Sequence, residues 1–174
     1  MFPRPEVPYL EAVLGKAGND MMQNIGIQNI GSGSIDTVRL AEALDVAETR
    51  ISIRSNEDIV AARRTGRMLV QKMGFSGSRT TLVTTVLSEL ASNILLHGKG
   101  GEIVLSQLHG SAQLNVTALD QGPGIENLSQ VLAGGYSTSG GLGLGLCGLQ
   151  RIADEFDIRT QPGKGTEVFV SIHF

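Results

Sequence analysis

Hydrophobic and polar positions change period several times after Arg50. Ile51 and Ile53 alternate with polar neighbours, as in a strand with one buried face. Ser55 then stands at a helix N-cap, with Asp58 at the capping-box position. Ile59, Ala62, Gly66, Leu69, Val70 and Met73 follow at helical spacing, and Gly74 stops the run. A second helix is predicted over about residues 78–97, where Leu82, Val83, Val86, Leu87, Leu90 and Ile94 form a wide apolar stripe. Gly98, Gly100 and Gly101 close it. Residues 102–108 and 113–119 read as two strands of a hairpin turning at His109, Gly110 and Ser111. A glycine-rich stretch over 122–148 precedes a helix predicted at about 144–156. Strands at 157–160 and 166–172 flank Pro162, Gly163, Lys164 and Gly165.

The predicted order is β-α-α-β-β-loop-α-β-β. Hairpins dominate, so the expected fold is an α+β two-layer sandwich. Its sheet is mixed and mostly antiparallel, with the helices packed on one face. This is not the alternating order of a doubly wound fold, and no GxxxxGK[ST] phosphate loop is present.

The first part of the chain differs in kind. Residues 1–50 carry 4 basic and 7 acidic side chains, and residues 51–174 carry 10 of each, so the first segment holds the whole net charge of −3. It also has Pro3, Pro5 and Pro8, then Gly26, Gly31 and Gly33 among serines. Residues 1–35 therefore read as poorly ordered or as an accessory arm. Val38, Ala41 and Leu44 suggest a short helix over 37–47. The division expected is an extension at 1–49 and a folded domain at 50–174.

Composition narrows the function classes. A net charge of −3 argues against a basic nucleic-acid footprint. No apolar run reaches the ~18 residues of a membrane span, and no secretory signal is visible at the N-terminus. A cytoplasmic protein is expected. With one cysteine there is no internal disulfide, and Cys147, His109 and His173 form no metal cluster.

Four stretches could carry chemistry. Glu89, Asn93 and His97 are spaced i, i+4, i+8 on the second helix. They are either a solvated stripe or a carboxylate that activates a nucleophile beside an amide oxygen that holds a metal; Mg²⁺ favours such hard oxygen ligands. Asp120, Gln121, Gly122, Pro123 and Gly124 follow a strand directly. They form an Asp-initiated turn or a site where the carboxylate accepts a hydrogen bond from an exocyclic amine such as that of adenine. Gly140, Gly141, Gly143 and Gly145, with Leu142 and Leu144 between them, open a helix. Backbone N–H groups there can close around phosphate oxygens, and the helix N-terminus adds its own donors. Upstream, Gly134 to Ser139, including Ser137 and Thr138, is polar and glycine-hinged, as a lid would be. Gly163, Lys164, Gly165 and Thr166 separate the last two strands, and alone they read as a hairpin turn.

The ordered set resembles the N, G1, G2 and G3 boxes of the GHKL (Bergerat-fold) ATPase superfamily, over about residues 50–174. The chain is too short for the transducer domains of gyrase-like, Hsp90-like or MutL-like members. It resembles the small anti-sigma-factor serine kinases, above all the RsbT-type stressosome switch kinases. The stretches that carry this are Ser88 to Asn93, Asp120 to Ile125 and Tyr136 to Gly143.

The resemblance implies an ATP- and Mg²⁺-dependent protein serine/threonine kinase that phosphorylates a STAS-domain partner. The alternative it allows is a nucleotide-gated module that binds a sigma factor or a PP2C-type phosphatase regulator with little transfer. It implies no nucleic acid and no membrane as partner, and leaves a homodimer open. Glu89 would be the general base and Asn93 the Mg²⁺ ligand. Asp120 would bind adenine beside Gly122 and Gly124, with Thr166 closing that site. Ser137, Thr138, Gly141, Leu142, Gly143, Leu144 and Gly145 would line the phosphates. Two departures stand out: residues 1–49 have no counterpart in the family, and Cys147 stands where proline is frequent.

Overall fold

The computed structural model describes residues 45–133 and 145–174. It divides into two compact units, Met1–Glu48 with Ser106–Ser111, and Thr49–Leu105 with Ala112–Phe174. In the first unit, the Asp45 carbonyl accepts the backbone N–H of His109 at 3.0 Å, and their exposed side chains approach to 3.8 Å.

The described elements, in chain order, are β1 (Val46–Ile53), α1 (Asn56–Lys72), α2 (Ser78–His97), β2 (Gly101–Leu108) and β3 (Gln113–Asp120). They continue with α3 (Leu128–Leu132), α4 (Gly145–Ile152), β4 (Glu155–Gln161) and β5 (Gly165–His173). The sheet is antiparallel and open, with strand order β1-β2-β3-β5-β4. The expected α+β sandwich is thus present, and the sheet is more uniformly antiparallel than the mixed one expected. Thr117 of β3 faces Phe169 of β5, and Asp120 faces Thr166 at the end of the ladder.

Alternation decides which sheet face meets the helices. Ile103, Leu105, Leu114, Val116, Ala118, Val168, Val170 and Ile172 point to one face. They share a core with Ala62 and Val70 of α1, with Val83, Val86, Leu87, Leu90 and Ile94 of α2, and with Leu149 of α4. These helical positions recur at three and four residues, so each helix lays a stripe on the sheet. The opposite face carries Asn115, Thr117 and Ser171, also buried. There Gln113 donates to Asn115 Oδ1 and to Ser171 Oγ, both at 2.9 Å.

Helix α1 starts where the capping pattern places it. Asp58 Oδ2 accepts the backbone N–H of both Arg54 and Ser55 at 2.9 Å. These bonds hold the Asp58 carboxyl below its ordinary range, the Arg54 contribution being the larger.

Three local expectations need correction. The helix predicted over 144–156 ends at Ile152. Asp154 donates its N–H to Ser171 O at 3.0 Å and accepts the His173 N–H on its carboxylate at 2.7 Å. Those bonds turn the chain into β4, where Phe156 pairs with Val170. Val46 and Ala47, placed in a short helix over 37–47 by their spacing, lie in β1, and Asp45 stands in a turn before it; residues 37–44 of that predicted helix fall outside the described residues. The five-residue helix α3 was not anticipated; Asn127 caps it by accepting the Gln130 N–H at 3.1 Å.

Candidate functional site

The long buried helix α2 places Glu89, Asn93 and the Gly98 terminus in sequence along one direction. At ~1.5 Å of rise per residue, Glu89 and Gly98 are separated by about 13 Å along the axis. Each end of that line meets a different part of the sheet layer.

At the Gly98 end stands Asp120, the last residue of β3. Its Oδ1 accepts two backbone N–H groups, from Gly122 at 2.8 Å and from Thr166 at 3.2 Å. Oδ2 is engaged by no described residue. Burial raises the Asp120 carboxyl above its ordinary range, while the bonds from Gly122 and Thr166 and the charge of His97 pull the other way. A carboxylate half withdrawn from water and bonded on one oxygen only is suited to receive an external donor on the other.

The ground around Asp120 is built of backbone in contact with backbone. A methyl group at Gly98 would overlap the Asp120 side chain. Gly165 has φ +92°, and a side chain there would overlap the Asp120 carbonyl. Loop 121–125 is tied to the β4–β5 hairpin at two points. Gly163 donates to Pro123 O at 2.7 Å, and Ile125 donates to Thr160 Oγ1 at 2.8 Å. Thr160 Oγ1 in turn bonds Gly165 O at 3.1 Å and lies 3.2 Å from Thr166 Oγ1. Asp120, Gly122 and Thr166, expected in one place, are joined here by hydrogen bonds, and Gly124 lies in the same loop, packed against the Gln161 backbone.

Thr160 belongs to that network and escaped the sequence reading. Its only signal is positional: it stands opposite Thr166 across the hairpin.

At the other end Glu89 is 3% exposed. Its Oε2 accepts the N–H of Gly145 at 3.1 Å. Gly145 opens α4, so the carboxylate sits on a helix N-terminus, where unpaired donors and the positive dipole end favour negative charge. One turn along α2, the Asn93 Nδ2 is buried and has no hydrogen-bond partner among the described residues. An orphaned buried amide costs ~1–3 kcal/mol. Gly145 is the single glycine-loop residue that falls among the described residues; Ser137, Thr138, Gly141, Leu142, Gly143 and Leu144 lie outside them. Cys147 is half-buried in α4. Among the described residues no group of three His, Cys, Asp or Glu side chains could hold a metal by itself. No helix there is long and apolar enough to cross a membrane.

This arrangement meets its counterparts in known proteins. Residues 78–174 match the family of histidine kinase-, DNA gyrase B- and HSP90-like ATPases. The chain belongs to this ATPase family, on its serine/threonine-protein kinase branch. It is 43% identical over 120 residues to the serine/threonine-protein kinase RsbT of Bacillus subtilis, covering 68% of this chain and 90% of that protein. An anti-sigma F factor of Clostridium acetobutylicum is 26% identical over 98 residues, covering 53% of this chain and 68% of the relative. In fold, the chain is similar to the SiaB–SiaC complex structure from Pseudomonas aeruginosa, with TM-score 0.50 and 15% identity over 80% of this chain and all of that one. The chain is thus an ATP-using serine/threonine-protein kinase.

Proposed function

We propose that the chain transfers the γ-phosphoryl group of Mg-ATP to a serine or threonine of a STAS-domain partner. The observation that carries the transfer step is Glu89, a carboxylate buried at 3% exposure whose orientation is fixed by the Gly145 N–H. A module that only gated binding by nucleotide would gain nothing from burying a carboxylate beside the triphosphate.

The residues suit the ligand end by end. Asp120 Oδ2 would accept the adenine amino group, with the glycine backbones of 122–124 beneath the ring. Asn93 would meet the other end, its amide oxygen toward Mg²⁺ and its unpaired Nδ2 toward phosphate oxygen. Mg²⁺, held by the Asn93 amide oxygen and the nucleotide's phosphates, would supply neutralisation of phosphate charge. The acceptor hydroxyl gives its proton to Glu89 as its oxygen bonds the γ-phosphorus, and ADP departs with the electrons of the broken P–O bond. Positioning and charge neutralisation do most of the work in such transfers, and a general base adds about 10²–10⁴-fold.

The test is incubation of the chain with γ-labelled Mg-ATP and the STAS-domain proteins encoded in the same genome. The expected result is label on one of them, lost with Glu89→Gln. Nucleotide-dependent binding of a STAS protein without any label would establish the gated-binding reading instead.

A further inference from the structure

The sheet has a second face, turned away from the helices. Val104 and Phe169 lie on it at 0% and 6% exposure, yet neither belongs to the core shared with α1, α2 and α4. Ser106, Asn115, Thr117 and Ser171 lie on the same face and are buried as well. Strand alternation puts all six there, because their neighbours Ile103, Leu105, Leu114, Val116, Val168 and Val170 point to the core. Among the described residues no helix lies over this face: α1, α2 and α4 pack on the other, and α3 packs against α4.

The face is also dry. Ser106 Oγ and Thr117 Oγ1 are buried and have no hydrogen-bond partner among the described residues. Water on an open sheet would satisfy both hydroxyls. Leaving each unpaired costs ~1–3 kcal/mol, so whatever covers them is apolar.

We infer that residues 1–44 are that cover: their apolar side chains lie on Val104, Ser106, Thr117 and Phe169 and withhold this face of the sheet from a second copy of the chain. The inference does not depend on the kinase reading.

Position, length and composition select this occupant. The burial is that of a single chain, so a second copy is not needed to produce it. Two stretches lie outside the described residues, 1–44 and 134–144. The second returns at Gly145, whose N–H bonds Glu89 on the helical side of the sheet. The first ends at the sheet itself. There the Asp45 carbonyl accepts the His109 N–H, and Met1–Glu48 and Ser106–Ser111 belong to one compact unit. Fully extended, such a length of chain spans more than ~100 Å. The distance from β1 across β2 and β3 to β5 is about 15 Å at ~4.8 Å per strand, so reach is ample. Composition agrees. Segments that stay unfolded are poor in apolar residues. This one has Val7, Leu10 and Leu14 at helical spacing, then Ile25, Ile27 and Ile30. Those are side chains that dry hydroxyls and an apolar Val104 and Phe169 can accept.

The experiment uses the full chain with Cys147→Ser, so that one introduced thiol is read at a time. Ser106→Cys reports on the covered face, Ser52→Cys on an exposed position of β1, and Val86→Cys on the core. The rate of each thiol with a maleimide is measured with and without Leu10→Ser/Leu14→Ser/Ile25→Ser/Ile27→Ser, and sedimentation gives the oligomeric state of each sample.

The result expected is a monomer in which the Ser106→Cys thiol reacts at least about 100-fold more slowly than the Ser52→Cys thiol. The four substitutions should speed the Ser106→Cys thiol at least about 10-fold and leave the Val86→Cys thiol protected. Rapid reaction at Ser106→Cys with the segment unaltered would overturn the inference, as would slow reaction that the four substitutions do not change. Protection found only in a dimer would give the face to a second copy instead. Release of the Val86→Cys thiol together with the Ser106→Cys thiol would make the segment part of the core, which also contradicts a separable cover.

Discussion

The C-terminus of α2 at Gly98 and its middle at Glu89 are built on opposite plans. At the Gly98 end, Asp120, loop 121–125 and the β4–β5 hairpin are joined by hydrogen bonds through Gly122, Thr166, Thr160 and Gly163. Glycines allow the backbones to touch there. Around Glu89, the Gly145 N–H bonds the carboxylate, and the Asn93 amide nitrogen has no hydrogen-bond partner among the described residues. On the function proposed above, the Asp120 side would receive adenine on ground already joined by hydrogen bonds, and the Asn93 amide would be completed by the phosphates. Preformed recognition with ligand-completed chemistry lets binding energy be used for ordering the reacting part.

The comparison can be broken from the Asp120 side first. Gly165→Val forces a β-branched side chain into a left-handed backbone and against the Asp120 carbonyl. It should destabilise the domain by about 3 kcal/mol or more and abolish ATP binding, read by denaturant titration and calorimetry. A variant that keeps both would show that this end is pliable.

Asp120→Asn comes next. It should weaken ATP by about 5- to 150-fold, the range of a mispaired buried group. Stability should move the other way. The Asp120 carboxyl is raised by burial, so the folded chain binds this proton more readily than the unfolded chain. This group therefore lowers stability as pH rises through its window, and its full penalty is present at neutral pH. An amide removes that penalty while its oxygen can still accept from Gly122 and Thr166. The melting temperature of the nucleotide-free variant at pH 7 should equal or exceed the parent's, and the difference should shrink toward acid pH. A clear fall in melting temperature at pH 7 would mean the carboxylate is structural.

Asn93→Ala sharpens the contrast on the other side. Deleting an unsatisfied amide should leave nucleotide-free stability within about 1 kcal/mol, yet weaken Mg-ATP about 10-fold. Affinity for ATP measured with chelator should change less. Thr160→Val is the mildest. It removes the acceptor for Ile125 and should cost about 1 kcal/mol and a few-fold in ATP affinity, with transfer at saturating ATP unchanged.

The same contrast governs how much could be read without a structure. The α2 stripe, its glycine terminus and the β2–β3 hairpin were legible because one period runs unbroken through each. Asp120, Gly122, Gly124 and Thr166 were legible because glycine beside a strand-end carboxylate is an unusual local pattern. Thr160 was not, since a threonine in an alternating strand has no local mark; its role comes from standing opposite Thr166. The end of α4 was misplaced because Leu149, Ile152 and Phe156 fit a helix as well as Phe156 and Ile158 fit a strand. What decides is Asp154, which binds Ser171 and His173 on a strand far along the chain. Long-range pairing overrode local period there.

The central claim is that the C-terminal end of α2 reads adenine while Glu89, in its middle, takes the proton, and that the two are separable. The direct measurement is single-turnover transfer to the STAS protein at saturating Mg-ATP, beside ATP affinity, for Glu89→Gln and Asp120→Asn. Glu89→Gln should bind ATP within about 3-fold of the parent and transfer about 10²–10⁴-fold more slowly; Asp120→Asn should bind weakly and, once saturated, transfer at close to the parent rate. If Glu89→Gln transfers at the parent rate, or if both variants lose affinity and rate together, the division of labour along α2 is wrong.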